Sequence, residues 1–245
     1  MKIANGIEML EISSNIMGNI SVINPTLICD KDTMILVDAG YPGDLSKIRE
    51  AIENTGMSFD KINMVILTHH DIDHIGGLPS ILKELPVNVK VLAHEEEKPY
   101  IDGEKLPLKI AGLEAKLGSL PENMKVIYEK LKVAFQNCKI HVDETLIHDE
   151  ELPYCGGIKV IYTPGHTLGH ICLYLKQSKT LIAGDVLGVE NGNLIKAASS
   201  INFDIELSIK SLKKLTEYDI ETVICYHGGV YKENVNKRIA ELSKE

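Results

Sequence analysis

Residues 68–77 contain a density of imidazole and carboxylate groups that does not suit a hydrophobic core. The segment is Thr-His-His-Asp-Ile-Asp-His-Ile-Gly-Gly, so three histidines and two aspartates fall within six residues. An apolar, strand-like run precedes it and a helix-like pattern follows it. Because side chains two apart on an extended turn lie on the same side, the spacing predicts that His69, Asp71 and Asp73 converge, with His74 close behind.

Nitrogen and oxygen donors of this kind are ligands for zinc, iron or manganese in proteins. The alternative is a polar loop whose histidines cap the following helix, and the density of donors disfavours it. His70 is a further candidate, because a kink in the loop would bring its side chain into the site even though alternation points it away. The segment therefore predicts a metal site and leaves the place of His70 open.

The same segment resembles the motif T-H-x-H-x-D-H-x-G-G of the metallo-β-lactamase superfamily. His69, Asp73 and His74 match its first histidine, its aspartate and its last histidine. Asp71 stands where the family usually has a second histidine, and His70 falls at a variable position. The resemblance implies that Asp71 is a ligand, with His70 as the rival that would supply an imidazole instead.

Three later residues extend the resemblance over nearly the whole chain. His166 resembles the family's third histidine, Asp185 its bridging aspartate and His227 its last histidine. Asp73 is also assigned a catalytic role, in which it orients the attacking water. The resemblance implies two metals bridged by Asp185, one held by His69, Asp71 and His166 and the other by Asp73, His74 and His227.

Other polar residues near predicted strand ends receive supporting roles. Asp38 resembles a further aspartate of the family, and we expect its carboxylate to accept backbone N–H bonds beside the metal loop. Cys225 is expected to pack inside a strand rather than bind metal. Of the remaining histidines, we expect His94 and His170 to support the ligands from behind, and His141 and His148 to be solvated.

The pattern of apolar runs has two halves of similar order, each with strands followed by helix, strand and helix. Strands are predicted at 27–29, 33–37, 64–67, 87–93, 145–147, 157–162, 171–175, 180–183 and 222–225, and helices near 45–52, 78–85, 124–135 and 204–217. The resemblance implies an α/β (α+β) fold, a four-layer αββα sandwich with two mixed sheets face to face and helices outside. We expect one such domain over residues 1–245.

Residues 95–139 differ in character from their surroundings. Proline and glycine interrupt the segment repeatedly, and its apolar residues have no evident core to join. It is either a helical connector or a lid that walls the metal site. Glu95, Glu96 and Glu97 are expected to form a solvated helix start, where acidic groups favour the positive end of the helix dipole.

Charge and cysteine content limit the partners and the compartment. Net charge is −9 and no basic block occurs, which argues against a nucleic-acid partner. Five cysteines without a Cys-x-x-Cys pair predict free thiols in a reducing compartment. The first residues lack the apolar core of a secretory signal, and no run approaches the roughly 20 apolar residues that cross a bilayer. A cytoplasmic protein with no membrane partner is expected, of undetermined oligomeric state.

Members of the superfamily cleave lactones, thioesters, β-lactams and phosphodiesters. The missing signal disfavours a dedicated β-lactamase, and the charge disfavours a nuclease. The expectation is a hydrolase in which two divalent metal ions, zinc foremost and iron or manganese next, activate water against a small-molecule ester, lactone, thioester or phosphodiester. One alternative is a di-iron redox enzyme related to the flavodiiron oxygen reductases, which also place a carboxylate at the second-histidine position. Another is a sensor module with a degenerate metal site.

Overall fold

Alternation within the strands gives each sheet two buried faces. In the strand Met64–Leu67, Val65 and Leu67 join one apolar cluster, whereas Met64 and Ile66 join another. A strand buried on both faces shows a continuous apolar run, which is why the sequence has one here. The computed structural model describes residues 1–86 and 88–244.

Short strands and helices alternate in groups along the described part of the chain. The strands are β1 (Lys2–Ala4), β2 (Ile7–Met9), β3 (Ile12–Ile16), β4 (Asn19–Ile23), β5 (Thr26–Cys29), β6 (Met34–Val37), β7 (Met64–Leu67), β8 (Lys90–His94), β9 (Glu144–Leu146), β10 (Glu151–Leu152), β11 (Ile158–Tyr162), β12 (Ile171–Leu175), β13 (Thr180–Ile182), β14 (Leu187–Glu190), β15 (Asn193–Lys196), β16 (Thr222–Cys225) and β17 (Gly229–Tyr231). The helices are α1 (Leu45–Glu53), α2 (Ile72–Ile75), α3 (Leu78–Glu84), α4 (Lys98–Ile101), α5 (Leu108–Glu114), α6 (Glu122–Asn137), α7 (Ile205–Leu215) and α8 (Val235–Leu242).

Two mixed sheets form the centre of the fold. The first has the order β1-β2-β5-β6-β7-β8-β9, and its strands from β6 to β9 are parallel. The second has the order β10-β11-β12-β13-β16-β17, with β13 and β16 parallel. Two hairpins, β3-β4 and β14-β15, stand apart as two-stranded sheets. Parallel neighbours end at the same sheet edge, so the loops that follow them meet there.

Three apolar clusters define four layers. The middle cluster joins the inner faces of both sheets, for example Ile66 of the first and Leu173 of the second. One outer cluster packs helices α1, α3 and α6 on the first sheet, and the other packs α7 and α8 on the second. Apolar faces of both sheets are thereby removed from water, which is the main source of stability for such a sandwich. The predicted αββα architecture is confirmed.

Several predicted boundaries need correction. Strand β8 begins at Lys90 rather than at the predicted residue 87, and Val87 itself lies outside the described residues. The hairpin β14-β15 was not predicted. No helix in residues 1–86 and 88–244 has the length and apolar character to span a bilayer.

The segment 95–139 folds as three α-helices and one short 3-10 turn, and several of its apolar residues do join a core. Ile101, Ile110 and Tyr128 are buried in the outer cluster of the first sheet. The expectation that they lack a core is therefore wrong. Glu95 and Glu96 are exposed as expected, but Glu97 is fully buried, so the prediction of a solvated helix start is wrong for Glu97. Whether the segment moves as a lid stays a prediction.

Candidate metal centre

The seven predicted ligands come together at one edge of the two sheets. His69 and Asp71 follow β7, and His166 lies in the turn between β11 and β12. Asp185 follows β13 and His227 follows β16, two neighbouring parallel strands of the second sheet. Each of these five side chains is thus placed by the end of a strand that packs in the core.

The first group consists of His69, Asp71, His166 and Asp185. Its donor atoms lie within 4.8 Å of one another, and all four residues are buried. Asp71 Oδ2 is 3.0 Å from His166 Nε2 and 3.4 Å from His69 Nε2. Asp71 therefore faces the two imidazoles that the resemblance assigned to the same metal.

The second group consists of Asp73, His74 and His227. Its donor atoms also lie within 4.8 Å of one another. Asp73 Oδ2 is 3.2 Å from His227 Nε2 and 3.9 Å from His74 Nε2. Asp73 and His74 belong to the short helix α2, which begins directly after Asp71. The expectation that Asp73 converges with His69 and Asp71 along an extended turn is therefore wrong, because the helix carries Asp73 into the second group.

Asp185 lies between the two groups. Its Oδ2 is 4.0 Å from His69 Nε2, 3.6 Å from His166 Nε2 and 3.5 Å from His227 Nε2. Its Oδ1 is 3.2 Å from His74 Nε2. One carboxylate thus faces the ring nitrogens of both groups, which is the position that a bridging ligand requires.

Asp38 orients the ligands from behind. It accepts hydrogen bonds from Thr68 N and Thr68 Oγ1, each 2.8 Å long, and lies 2.9 Å from His74 Nδ1. The Nδ1 contact leaves His74 Nε2 to face the centre. A Cβ at Gly77 would lie 2.2 Å from Ala39 O, so only glycine lets this loop approach α3 so closely. The expectation that Asp38 accepts a backbone N–H beside the metal loop is confirmed.

His70 turns away from both groups. Its ring stacks on Tyr100, with centroids 4.5 Å apart, and its Nδ1 contacts the buried Glu97 carboxylate. Glu97 also accepts hydrogen bonds from Thr167 Oγ1 and Gly169 N, each 2.6 Å long. The carboxylate therefore ties the His70 loop to the His166 loop. Sequence reasoning missed Glu97, although its position three residues after the end of a strand was a signal.

The four other histidines differ in what they contact. His170 Nε2 accepts a hydrogen bond from Asp185 N at 3.0 Å, and burial lowers the His170 pKa to about 3, which keeps the ring neutral for that role. This agrees with the expected supporting role. His94 instead stacks on Tyr162, with centroids 4.3 Å apart, so it does not support a ligand directly. His141 and His148 are exposed as expected.

Lys109, on the first turn of α5, reaches the first group. Its ammonium hydrogen-bonds to Asp71 Oδ2 and lies 3.3 Å from His166 Nε2. Its side chain is 43% exposed. Nothing in the sequence pattern marked Lys109, because a lysine on an amphipathic helix is ordinarily a solvated residue.

The electrostatics of the centre favour bound cations. Burial lowers the pKa of His69 well below its usual value, so its ring is neutral and can offer a lone pair. Burial opposes ionisation of Asp71, but the hydrogen bond with His166 and the nearby His69 ring hold its pKa well below the usual range. Burial likewise opposes protonation of His227, yet hydrogen bonds to Asp185 and Asp73 raise its pKa to about 10. The three carboxylates of Asp71, Asp73 and Asp185 therefore favour the binding of positive charge between them.

Several of the donor atoms lack a hydrogen-bond partner, which also fits a metal site. Within the described residues, His69 Nε2, His74 Nε2 and Asp185 Oδ1 are buried and have no hydrogen-bond partner. A buried polar atom without a partner costs about 1–3 kcal/mol, which coordination to a cation would recover. Imidazole and carboxylate donors in sets of three or four suit zinc, iron or manganese. The residues present therefore fit a metal centre.

Comparison with known proteins agrees with this fold. The sequence profile of the Metallo-beta-lactamase superfamily matches residues 18–227. Over 213 residues the chain is 30% identical to the "Probable metallo-hydrolase YflN" of Bacillus subtilis (strain 168), and the match covers 80% of this chain and 75% of that protein. The chain belongs to the metallo-beta-lactamase superfamily, and the prediction of an enzyme of that superfamily is confirmed.

Two further relatives bear on function and on fold. The hydroxyacylglutathione hydrolase of Buchnera aphidicola subsp. Schizaphis graminum (strain Sg) is 28% identical over 229 residues, covering 90% of this chain and 69% of that protein. The crystal structure of a metallo-beta-lactamase family protein from Thermus thermophilus matches with a TM-score of 0.71 at 21% identity, covering 98% of this chain and 79% of that one. The structural match shows the fold alone.

Proposed function

We propose that this protein is a dinuclear metal-dependent hydrolase that cleaves thioesters. The observation that carries the proposal is the position of Asp185, whose oxygens lie 3.2–4.0 Å from the Nε2 atoms of four histidines in two groups. A single metal would need only one of the groups. Two groups that share one carboxylate support two cations held side by side.

The assignment of ligands follows the two groups. His69, Asp71 and His166 would hold one cation, Asp73, His74 and His227 the other, and Asp185 would contact both. When bound, the two cations lower the pKa of a shared water and supply positive charge to the oxygen of the bond under attack. Zinc is the first candidate because affinity order favours it over manganese and iron.

Asp73 is proposed to orient the attacking water. Its carboxylate is 15% exposed, so it faces the solvent side of the centre rather than the core. Tyr226 fixes the backbone beside it by donating a 2.5 Å hydrogen bond to Asp73 O, and the same ring packs on His74. Held in this way, an Asp73 oxygen can accept a hydrogen bond from water and direct its lone pair at the substrate.

The thioester class rests on the relatives and on an exposed apolar side chain beside the His166 loop. A hydroxyacylglutathione hydrolase, a thioesterase by its name, is 28% identical over 90% of this chain. An apolar side chain stands exposed next to the His166 loop: Phe203 is 57% exposed and its backbone N–H bonds to His166 O at 3.2 Å. An exposed apolar side chain at this place suits contact with the acyl or thiol part of a thioester. The hydrolase names of the relatives favour hydrolysis over the redox alternative.

The test uses protein purified without chelators. Elemental analysis should give two metals per chain. Among S-lactoylglutathione, a γ-lactone and bis(p-nitrophenyl) phosphate, the thioester should be cleaved with the highest kcat/KM. Loss of activity on dialysis against a chelator and recovery on adding zinc would support the metal dependence. A preparation with two metals that cleaves only the phosphodiester, or that consumes oxygen with a reduced donor, would overturn the proposal.

A further inference from the structure

Lys109 lies where a substrate would approach the centre. Most of the ligand side chains are buried, but the side chain of His227 is 41% exposed. The side chain of Lys109, which is not itself a ligand, is 43% exposed. Each also contacts a buried ligand: Lys109 contacts Asp71, and His227 contacts Asp185. Solvent therefore reaches the two groups past these side chains, Lys109 on the side of the first group.

The fold keeps Lys109 in this place. Pro107 and Ile110 on either side of it are buried, and Ile110 belongs to the outer core of the first sheet. The C-terminal end of α5 is tied to α6 by a 2.7 Å hydrogen bond from Tyr128 to Glu114. With the backbone held on both sides, the ammonium stays within a side chain's reach of the first group.

The charge of the loaded centre explains why a lysine is useful there. Asp71, Asp73 and Asp185 carry three negative charges against four positive charges on two divalent cations. An imidazole in place of Asp71 would leave one more positive charge. The ammonium of Lys109 supplies that additional positive charge. It does so on the solvent side of Asp71, where a substrate can contact it.

The ammonium also has a donor to spare. A lysine carries three N–H donors, and its contacts here are with Asp71 and His166. One donor is thus available for a further acceptor. A compact ammonium ion is a suitable partner for a carboxylate, and pairing beside a desolvated centre is stronger than in open water.

We propose that Lys109 binds a carboxylate of the substrate, so that the preferred substrates are thioesters that carry a free carboxylate near the scissile bond. This rests on the proposed thioesterase function. The segment 95–139 then serves as more than a connector, because it brings the group that selects the substrate. The competing explanation is that Lys109 only neutralises Asp71.

Rigid aryl thioesters test the proposal directly. The probes are 3- and 4-(acetylthio)benzoate and their methyl esters, in which a neutral ester replaces the charged carboxylate at one end. Binding is measured separately by calorimetry on zinc-loaded protein with 4-acetamidobenzoate and its methyl ester. The variants are Lys109→Ala and Lys109→Arg, with Lys116→Ala as the matched control because Lys116 is an exposed lysine of the same segment.

For Lys109→Ala we expect kcat/KM on the better carboxylate isomer to fall about tenfold, mainly through KM, and binding of 4-acetamidobenzoate to weaken about tenfold. Activity on the methyl ester should fall by much less than activity on the carboxylate, metal content should be retained, the Lys116→Ala control should match the parent, and Lys109→Arg should retain most of the preference. Equal losses on the charged and neutral substrates, or loss of a metal from Lys109→Ala, would overturn the assignment in favour of simple neutralisation of Asp71.

The two proposals can fail separately. If the parent binds 4-acetamidobenzoate through Lys109 but cleaves neither thioester, the thioesterase function is wrong and the carboxylate site stands. If both thioesters are cleaved and Lys109→Ala has no selective effect, the function stands and the carboxylate site is wrong.

Discussion

The two ligand groups differ in how they are held and in how far they are exposed. The first group draws on three distant parts of the chain, and Glu97 clamps two of them together. The second group obtains Asp73 and His74 from one turn of helix, and its third member, His227, is 41% exposed. Asp185 belongs to both.

This difference shows what fixes the positions of the ligands in each group. A helix turn fixes Asp73 and His74 locally, since their backbone bonds to its own segment. Asp71 and His166 are 95 residues apart and meet only because buried contacts hold their loops. The first group should therefore be more sensitive to distant substitutions, and the second more sensitive to solvent and competing ligands.

Removal of Asp185 should affect both ligand groups at once, because both groups share it. We expect Asp185→Ala to lose at least one of two metals and to lower kcat by about 10³-fold or more. Elemental analysis and steady-state kinetics measure the two effects. As a control, Asp204→Ala removes a carboxylate that only caps α7. One metal per chain in both the parent and Asp185→Ala would contradict the bridging role.

The pair Asp71→Ala and His70→Ala should disable the first group selectively. Asp71 lies among the ligands, whereas His70 stacks on Tyr100 and contacts Glu97. We expect Asp71→Ala to lose one metal and about 10²-fold in kcat. His70→Ala should keep both metals. Metal loss in His70→Ala but not in Asp71→Ala would place His70 in the site instead of Asp71.

Glu97→Gln should loosen the first group without touching a ligand. The new amide would be neutral beside His70 and would present an NH₂ where an acceptor is needed, so we expect a loss of about 2–3 kcal/mol in unfolding free energy. Urea unfolding of the metal-free protein measures it. The exposed neighbour provides the control, since Glu96→Gln should change stability by less than about 0.5 kcal/mol.

In Glu97→Gln the metal of the first group should also bind more weakly than that of the second. Zinc titration followed by competition with a chromophoric chelator separates the two affinities. Equal weakening of both would mean that Glu97 stabilises the domain as a whole rather than the first group.

The smallest expected effect is on the rate at which metal leaves. Because His227 is partly exposed and the ligands of the first group are buried, the second group should release its ion several times faster to a chelator. The visible spectrum of cobalt-loaded protein, followed during addition of dipicolinate, should show two phases. His227→Ala should remove the fast phase and His69→Ala the slow one; the reverse assignment would refute the link between exposure and release.

Much of the fold could be predicted because its signals are local. Strands β12 and β16 lie at the predicted residues, and alternation within runs such as Met64–Leu67 follows from burial on both faces. The ligand candidates stood out because each follows a strand and because a resemblance placed them in order. Their assignment to individual metals stays a prediction, although the structure brings all seven together.

The sequence by itself located most strands and helices and the donor-rich turns, since apolar periodicity and turn composition are properties of short segments. The four layers and the order of the ligands came from the family resemblance. Only the tertiary structure decided that Asp73 lies on a short helix rather than on an extended turn, that Glu97 is buried, and that Lys109 reaches Asp71. These outcomes depend on how loops far apart in the chain pack together. A glutamate or lysine has the same local pattern in water as at a buried contact, so its partner is fixed only when the sheets and helices meet.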